Sequence, residues 1–434
     1  MNQKTIINAT VFDFETFATD SFIRFDETIM EVGKMKDYRA GDDEVIDASG
    51  HLVMPGLIVG HTHIYSTFAR GLSVPFNPKN FQDILEQLWW KLDRHLDLEM
   101  TNMSALVSAV DHVKNGVTTL IDHHASGVDI TGTLASLQAA VTGEVGLRGA
   151  FAFEVSDRFD VNKAILENVT FMDQHEDAWS RGLFGLHASM SLSDKTLKQV
   201  KHVLGNAPIH IHVAESELDQ EDCLKRYGMR IIHRLHRHGL LNPGSILAHC
   251  IYLDEEELDI IKQQRCVIAV NVTSNMNNSV GLPGLTAFRK RGIPVIIGND
   301  GISSSVTTEY LYAYYATHLL DKTPNHFGLD DLRHIILDTY QYVSALFDFP
   351  IGKIEFGYAS DLLIVPYDPP TPLDETNVMG HLFFGLFNSF KPRHVFVGGK
   401  QLVNGYEVNQ SLQQRYREAS QTAARLWKNI HKEV

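Results

Sequence analysis

Pro55-Gly56-Leu57-Ile58-Val59-Gly60-His61-Thr62-His63-Ile64-Tyr65 is the stretch on which the fold turns. Leu57, Ile58 and Val59 form a short apolar run bounded by glycines, as expected of a strand buried on both faces, and the run stops at His61. Strand side chains alternate, so His61 and His63 project to the same side at the carboxyl end. Two imidazoles converging there are half of a metal site. A lone His-x-His more often pairs with backbone or solvent, and the metal reading gains its weight from what later strands supply at the same relative position.

Seven further strand-like runs follow, separated by helical material. They are 117–121, ending in Asp122-His123-His124; 149–153, ending near Glu154; 183–186, ending in His187; and 208–213, leading into Ala214-Glu215. The last three are 245–248, ending in His249; 266–270, ending at Asn271; and 293–298, ending in Asn299-Asp300. A long helical region is expected over 81–115, with Leu85, Leu88, Trp89 and Leu92 at helical spacing. Strands alternating with helices over 55–350 predict a parallel (β/α)8 barrel of the TIM type, whose active site is built at the carboxyl ends of the strands. An open doubly wound sheet is disfavoured, since no Gly-x-Gly-x-x-Gly follows any strand.

The flanks read differently. Residues 1–54 carry short β segments at 5–7, 10–14, 22–25, 28–32 and 45–47, an incomplete sheet with edges that need covering. The far end offers strands at 352–365 and 394–397, and a hairpin about Asn404-Gly405. We expect one small β-sandwich domain from 1–54 plus 351–434, making the fold α/β with a β appendage.

At 434 residues and 44% hydrophobic, the chain can bury a large core. A formal charge of −15 argues against a nucleic-acid groove or a membrane-binding basic patch. No signal-peptide pattern or membrane-length apolar run is present, and three cysteines, Cys223, Cys250 and Cys266, do not make a disulfide framework. A cytoplasmic protein with a small-molecule partner is expected, its oligomeric state left open.

Collected at one mouth, the strand ends assemble a mononuclear site: His61, His63 and His212 supply nitrogens and Asp300 an oxygen. Three imidazoles and a carboxylate match the open coordination of catalytic Zn²⁺, while also suiting Fe²⁺. Such an ion lowers the pKa of a bound water and so supplies a hydroxide nucleophile. Glu215, three residues beyond His212, is placed to carry protons between water and substrate, and Asp300 to accept one. His249 would polarise the developing oxygen. Glu217, Asp219, Glu221 and Asp222 read as a solvated helix start, and His210 as a hydrogen-bonded core residue. His187, Trp89 and one of His123 and His124 are candidate substrate contacts.

Met54 to His63, His212-Val-Ala-Glu215, Leu247-Ala-His249 and Gly298-Asn-Asp-Gly301, in this order, resemble the amidohydrolase superfamily, in its cytosine deaminase and chlorohydrolase-like branch. Stretches 88–93, 122–126 and 273–281 are similar to the aminohydrolase group called SsnA. The resemblance spans essentially the whole chain. It implies metal ligation by His61, His63, His212 and Asp300, with Glu215 and His249 catalytic. His187 stands where binuclear relatives carry a carboxylated lysine, which implies one metal ion. The acidic residue that adenosine-type deaminases offer from the long first loop is not evident among Gln82, Asp83 and the two tryptophans, which points away from adenosine-like substrates. The function implied is a metal-dependent aminohydrolase releasing ammonia from a small nitrogen heterocycle. Ring opening of a cyclic amide and hydrolytic dechlorination are the alternatives on the same site, and a catalytically silent binding homologue ranks last.

Overall fold

The computed structural model describes residues 3–432. Five strands precede the first histidine pair: β1 (Lys4–Phe12), β2 (Phe17–Phe25), β3 (Ile29–Lys34), β4 (Glu44–Asp47) and β5 (His51–Pro55). Nine follow in the central region: β6 (Leu57–Thr62), β7 (Val117–His124), β8 (Arg148–Phe153), β9 (Ser180–Gly182), β10 (Phe184–Ala188), β11 (Ile209–Val213), β12 (Ile246–His249), β13 (Val267–Val270) and β14 (Val295–Ile297). The last three are β15 (Leu362–Pro366), β16 (His394–Val397) and β17 (Lys400–Asn404).

Strands β6 to β9 form one parallel sheet and β10 to β14 another. Because only Leu183 separates β9 from β10, these two act as a single stave, joined to β8 by a bridge between Val155 and Leu186. The remaining seam closes where the amides of Asn299 and Asp300 donate to the carbonyl of His61 at 2.9 and 3.2 Å. The result is a TIM-type barrel. Its staves are buried along almost their whole length, so they read as apolar runs rather than alternating patterns.

The seam tolerates no side chain at Gly298, where a Cβ would lie 2.2 Å from Asn271 Oδ1 and 2.6 Å from the His61 carbonyl. Gly298→Ala is therefore expected to lower the unfolding free energy by about 1–3 kcal/mol. An unchanged urea midpoint would show that the seam yields at no cost.

The terminal strands pair into one eight-stranded sheet that joins both ends of the chain, with β15 antiparallel to β5. It forks on β1, whose first half pairs β4 and whose second half pairs β5. A separate apolar cluster including Ile6, Ile23, Phe25, Val53, Leu362 and Phe396 fills this domain. Buried Arg148 at the start of β8 pairs with Asp361 at 3.0 Å, fastening the sheet to the barrel.

Several local expectations change. Segments 5–7 and 10–14 belong to one strand, β1, kept continuous by register shifts rather than a turn. The region 81–115 is not one helix: Asp97 caps a new helix, Leu98–Lys114, by accepting from the Met100 amide at 2.8 Å. Within 352–365, only β15 is strand, because Gly352 and Gly357 adopt positive φ and turn the chain. The C-terminal hairpin is β16–β17, turning at Gly398-Gly399, while Asn404-Gly405 makes a tight turn closed by a single bridge to Glu407. Gln410–His431 forms a helix that packs on the barrel, with Trp427 Nε1 donating to the Phe68 carbonyl at 2.7 Å and Tyr416 to Asp111 at 2.9 Å. Among the described residues, no helix is long and apolar enough to cross a membrane.

Candidate active site

One donor atom from each of His61, His63, His212 and Asp300 falls within 4.8 Å of the others. Each ring is aimed by its far nitrogen: His63 Nδ1 donates to the His123 carbonyl at 2.6 Å, and His212 Nδ1 to the His187 carbonyl at 2.8 Å. Their Nε2 atoms therefore carry lone pairs, yet they lie 3.0 Å apart. Two lone pairs facing each other repel, and a cation between them turns that repulsion into coordination. His61 Nδ1 sits 2.7 Å from His210 Nε2, leaving its Nε2 3.1 Å from Asp300 Oδ1. Far-side hydrogen bonds that orient ligating imidazoles are what a metal site requires. The donor set fits a divalent cation.

Backbone strain concentrates at this rim. Ala214, His249 and Asp300 follow or end β11, β12 and β14 with φ of 49°, 71° and 55°, a left-handed conformation costly for non-glycine residues. These turns bring Glu215, His249 and Asp300 together: His249 Nε2 is 3.5 Å from Glu215 Oε2 and 3.9 Å from Asp300 Oδ1. Burial, then the Asp300 carboxylate, pushes the Glu215 carboxyl well above its usual range, which favours the protonated form. Asn275 Oδ1 accepts from His249 Nδ1 at 2.8 Å, and Ser274 Oγ donates to Asp300 Oδ2 at 2.5 Å. Both come from helix Val272–Asn277, which follows β13.

The cavity above these groups is lined by His63, His212, Glu215 and Asp300 on the metal side, and by Tyr65, Trp89, Trp90, Asp93, Glu154, Arg158 and His187 around it. Trp89 and His187 thus face the cavity. His123 and His124 do not. Strand β7 runs on through His124 instead of ending at 121, so alternation continues. His123 turns inward beneath the metal side, its ring 4.7 Å from that of His212, and Nε2 donates to the Leu186 carbonyl at 3.0 Å. His124 packs near Phe153 and Tyr65, fully buried. Asp219, expected in solvent, is buried at the cavity wall and accepts from the amides of Met190 and Ala214 at 3.3 and 3.2 Å. The strained Ala214 turn is held this way.

Asp93, Ser274, Asn275 and Asn278 lie in stretches 88–93 and 273–281 that carry part of the resemblance, but no role was assigned to them there, and Arg158 carries no signal in the sequence. Asp93 is the more telling, because it supplies the cavity with an acidic residue from the first loop region. The expectation against adenosine-like substrates rested on its absence and is withdrawn.

Beneath the site, Asp122 accepts from the Ile64 amide at 2.7 Å, and burial pushes its carboxyl up to about 7. The folded protein then keeps this proton between about pH 4 and 7 while the unfolded chain, with an ordinary carboxyl, has lost it. Stability from this group falls as pH rises through that window. Asp122→Asn, which cannot ionise, should gain stability relative to the parent between pH 4 and 7 and level off above. A difference independent of pH in denaturant titrations would contradict the buried, protonated state.

The sequence profile of the amidohydrolase family matches residues 52–402. A 5'-deoxyadenosine deaminase of Methanopyrus kandleri is 27% identical over 94% of this chain and 93% of its own length. A 5-methylthioadenosine/S-adenosylhomocysteine deaminase of Pyrococcus furiosus is 30% identical over 83% of this chain and 87% of its own. Among solved structures, an adenosine deaminase from Xanthomonas campestris with bound zinc superposes with a TM-score of 0.85 at 20% identity, covering 98% of this chain and 99% of that one.

Proposed function

The chain belongs to the amidohydrolase family, and from that premise we propose that it is a metal-dependent aminohydrolase releasing ammonia from an amino-substituted heterocycle of the adenine-nucleoside class. The observation that carries the reading is the convergence of three imidazole Nε2 atoms and Asp300 beside the Glu215–His249 pair in one cavity. The deaminase relatives support the substrate class.

His61, His63, His212 and Asp300 would hold one ion, for which we propose Zn²⁺, the ion bound in the Xanthomonas relative. When bound, it supplies Lewis acidity that brings the pKa of water toward neutrality. Glu215 delivers a proton to a ring nitrogen, making the adjacent carbon electrophilic, and of the two protons lost by the attacking water one restores the Glu215 carboxyl and the other converts the departing amino group to ammonia. His249, its Nδ1–H committed to Asn275, turns the lone pair of Nε2 toward Glu215 and Asp300, where it can accept a proton from the attacking water. Trp89 and Trp90 wall the ring from bulk water. Three buried free cysteines agree with a reducing, cytoplasmic setting.

The test is ammonia release by the zinc-loaded protein across aminopurine nucleosides, aminopyrimidines and aminotriazines, run beside cyclic amides and chlorotriazines. Release from the first group is expected. Ring opening or chloride release without ammonia would replace the aminohydrolase reading by one of its alternatives.

A further inference from the structure

Asp300 and His249 are both held by one short turn of chain. Ser274 Oγ donates to Asp300 Oδ2, leaving Oδ1 to face His61 and His63, and Asn275 Oδ1 accepts from His249 Nδ1. The Ser274 hydroxyl is itself oriented: Asn278 Nδ2 donates to its oxygen at 3.3 Å, and Asn277 Nδ2 donates to Asn278 Oδ1 at 3.1 Å. Its proton therefore points to Asp300. Yet the helix that carries these contacts, Val272–Asn277, has six residues, too few to persist without outside support.

That support does not come from its own N-cap. Asn271 occupies the cap position with no side-chain bond to the helix, and both polar atoms of its side chain are buried without a partner. The first amides of a helix still need acceptors. Glu309 supplies one from the neighbouring helix Val306–Asp321: fully buried, it accepts from the Thr273 amide through Oε2 at 3.1 Å and from the Thr273 hydroxyl through Oε1. An apolar side chain would fill the same space without the cost of burying a carboxyl. Glu309 does not line the cavity, so its grip reaches the reacting groups through the turn.

We infer that Glu309 is a positioning residue: by seating the Thr273 turn it fixes, through Ser274 and Asn275, the direction of the Asp300 carboxylate and of the His249 ring. The inference rests on the aminohydrolase reading for the reaction and extends it to a buried group behind the site. Ser274 and Asn275 stand one hydrogen bond from those groups, so a shift of the turn is passed to them directly. A misplacement of about 1 Å at a reacting centre costs on the order of 10²-fold in rate.

The experiment measures zinc affinity by chelator competition, then ammonia release at saturating zinc, on full-length Glu309→Ala and Glu309→Gln proteins. Glutamine keeps both contacts, its carbonyl accepting from the Thr273 amide and its NH2 donating to the Thr273 hydroxyl, while removing the charge that opposes that of Asp300. Glu309→Ala is expected to weaken zinc about tenfold or more and to lower kcat about 10–100-fold with KM little changed, and Glu309→Gln to stay within about threefold of wild type on each. In a Ser274→Ala background, where the link to Asp300 is already cut, adding Glu309→Ala should weaken zinc by less than about threefold more. Unchanged zinc affinity in Glu309→Ala, a glutamine as damaging as alanine, or Ser274 and Glu309 losses that simply multiply overturns the positioning role. If Glu309→Ala fails to fold, Thr273→Val, which deletes only the hydroxyl contact, decides: a loss of about threefold to tenfold in zinc affinity is expected, and no loss overturns the inference. Zinc affinity needs no turnover and so separates the two claims. A wild type that binds zinc and releases no ammonia sinks the aminohydrolase reading only, and an active wild type whose zinc affinity is indifferent to Glu309 sinks the positioning role only.

Discussion

Glu215→Gln, loaded with zinc, is expected to keep its metal and to lose turnover by about 10²–10⁴-fold or more. Glu215 is outside the four-donor set, standing 3.5 Å from His249 Nε2, and the amide keeps its volume, so coordination has no reason to change. What disappears is the proton. Glutamine cannot accept one from the attacking water or pass one to the ring, and no other carboxyl of the site is equivalently placed: Asp300 is committed to the histidines and to Ser274. Elemental analysis and ammonia release, measured on the same preparation, give the answer. Full turnover with a stoichiometric metal would remove Glu215 from the mechanism. Loss of both metal and turnover would instead make it a ligand.

His212→Ala should act one step earlier, on the ion itself. His212 Nε2 faces His63 Nε2 at 3.0 Å, and without it the set is reduced to two imidazoles and a carboxylate. Metal occupancy should fall well below stoichiometric after dialysis, and activity with it. A stability readout separates this from a catalytic defect: zinc at 100 times its Kd stabilises the wild type by about 2.7 kcal/mol through mass action, and that gain should be largely lost in the variant at the same free concentration. Chelated wild type should recover both activity and thermal stability on adding zinc. An unchanged zinc-dependent shift in His212→Ala would show that the ion is held elsewhere.

The two experiments divide along a line already visible in the chain. The convergence of the four donor residues was legible because it depends on regularities that need no coordinates: buried strands end in polar residues, side chains alternate, and a barrel gathers those ends at one rim. His61, His63, His212 and Asp300 all follow from these rules. His123 and His124 show where the same rules mislead. A strand judged to stop at 121 would leave one of them at the mouth, but β7 continues through both and buries them. Alternation was applied correctly from the wrong endpoint.

Asp219 and Asp93 mark a second boundary. Asp219 looked like one acid in a solvated helix because its neighbours are acidic, and only the fold shows that its carboxylate turns back to hold the amides of Ala214 and Met190. Asp93 lies in the stretch 88–93 that carries part of the resemblance, yet the acidic residue was sought among Gln82, Asp83 and the two tryptophans, and only the fold brings the Asp93 carboxylate to the cavity wall against Arg158 at 2.6 Å.

The sequence by itself determined the barrel, the joined termini and the convergence of His61, His63, His212 and Asp300, a set that could hold a metal ion, since periodicity and strand-end chemistry are local properties that survive in one dimension. Tertiary structure alone decided the aiming of the imidazoles, the pairing of Arg158 with Asp93 and Glu154, and the burial of the β7 histidines. Each of these depends on groups far apart along the chain: His61 and His210 meet across 149 residues, and Arg158 and Asp93 across 65. Such distances and the dielectric between the groups exist only after the staves close around them.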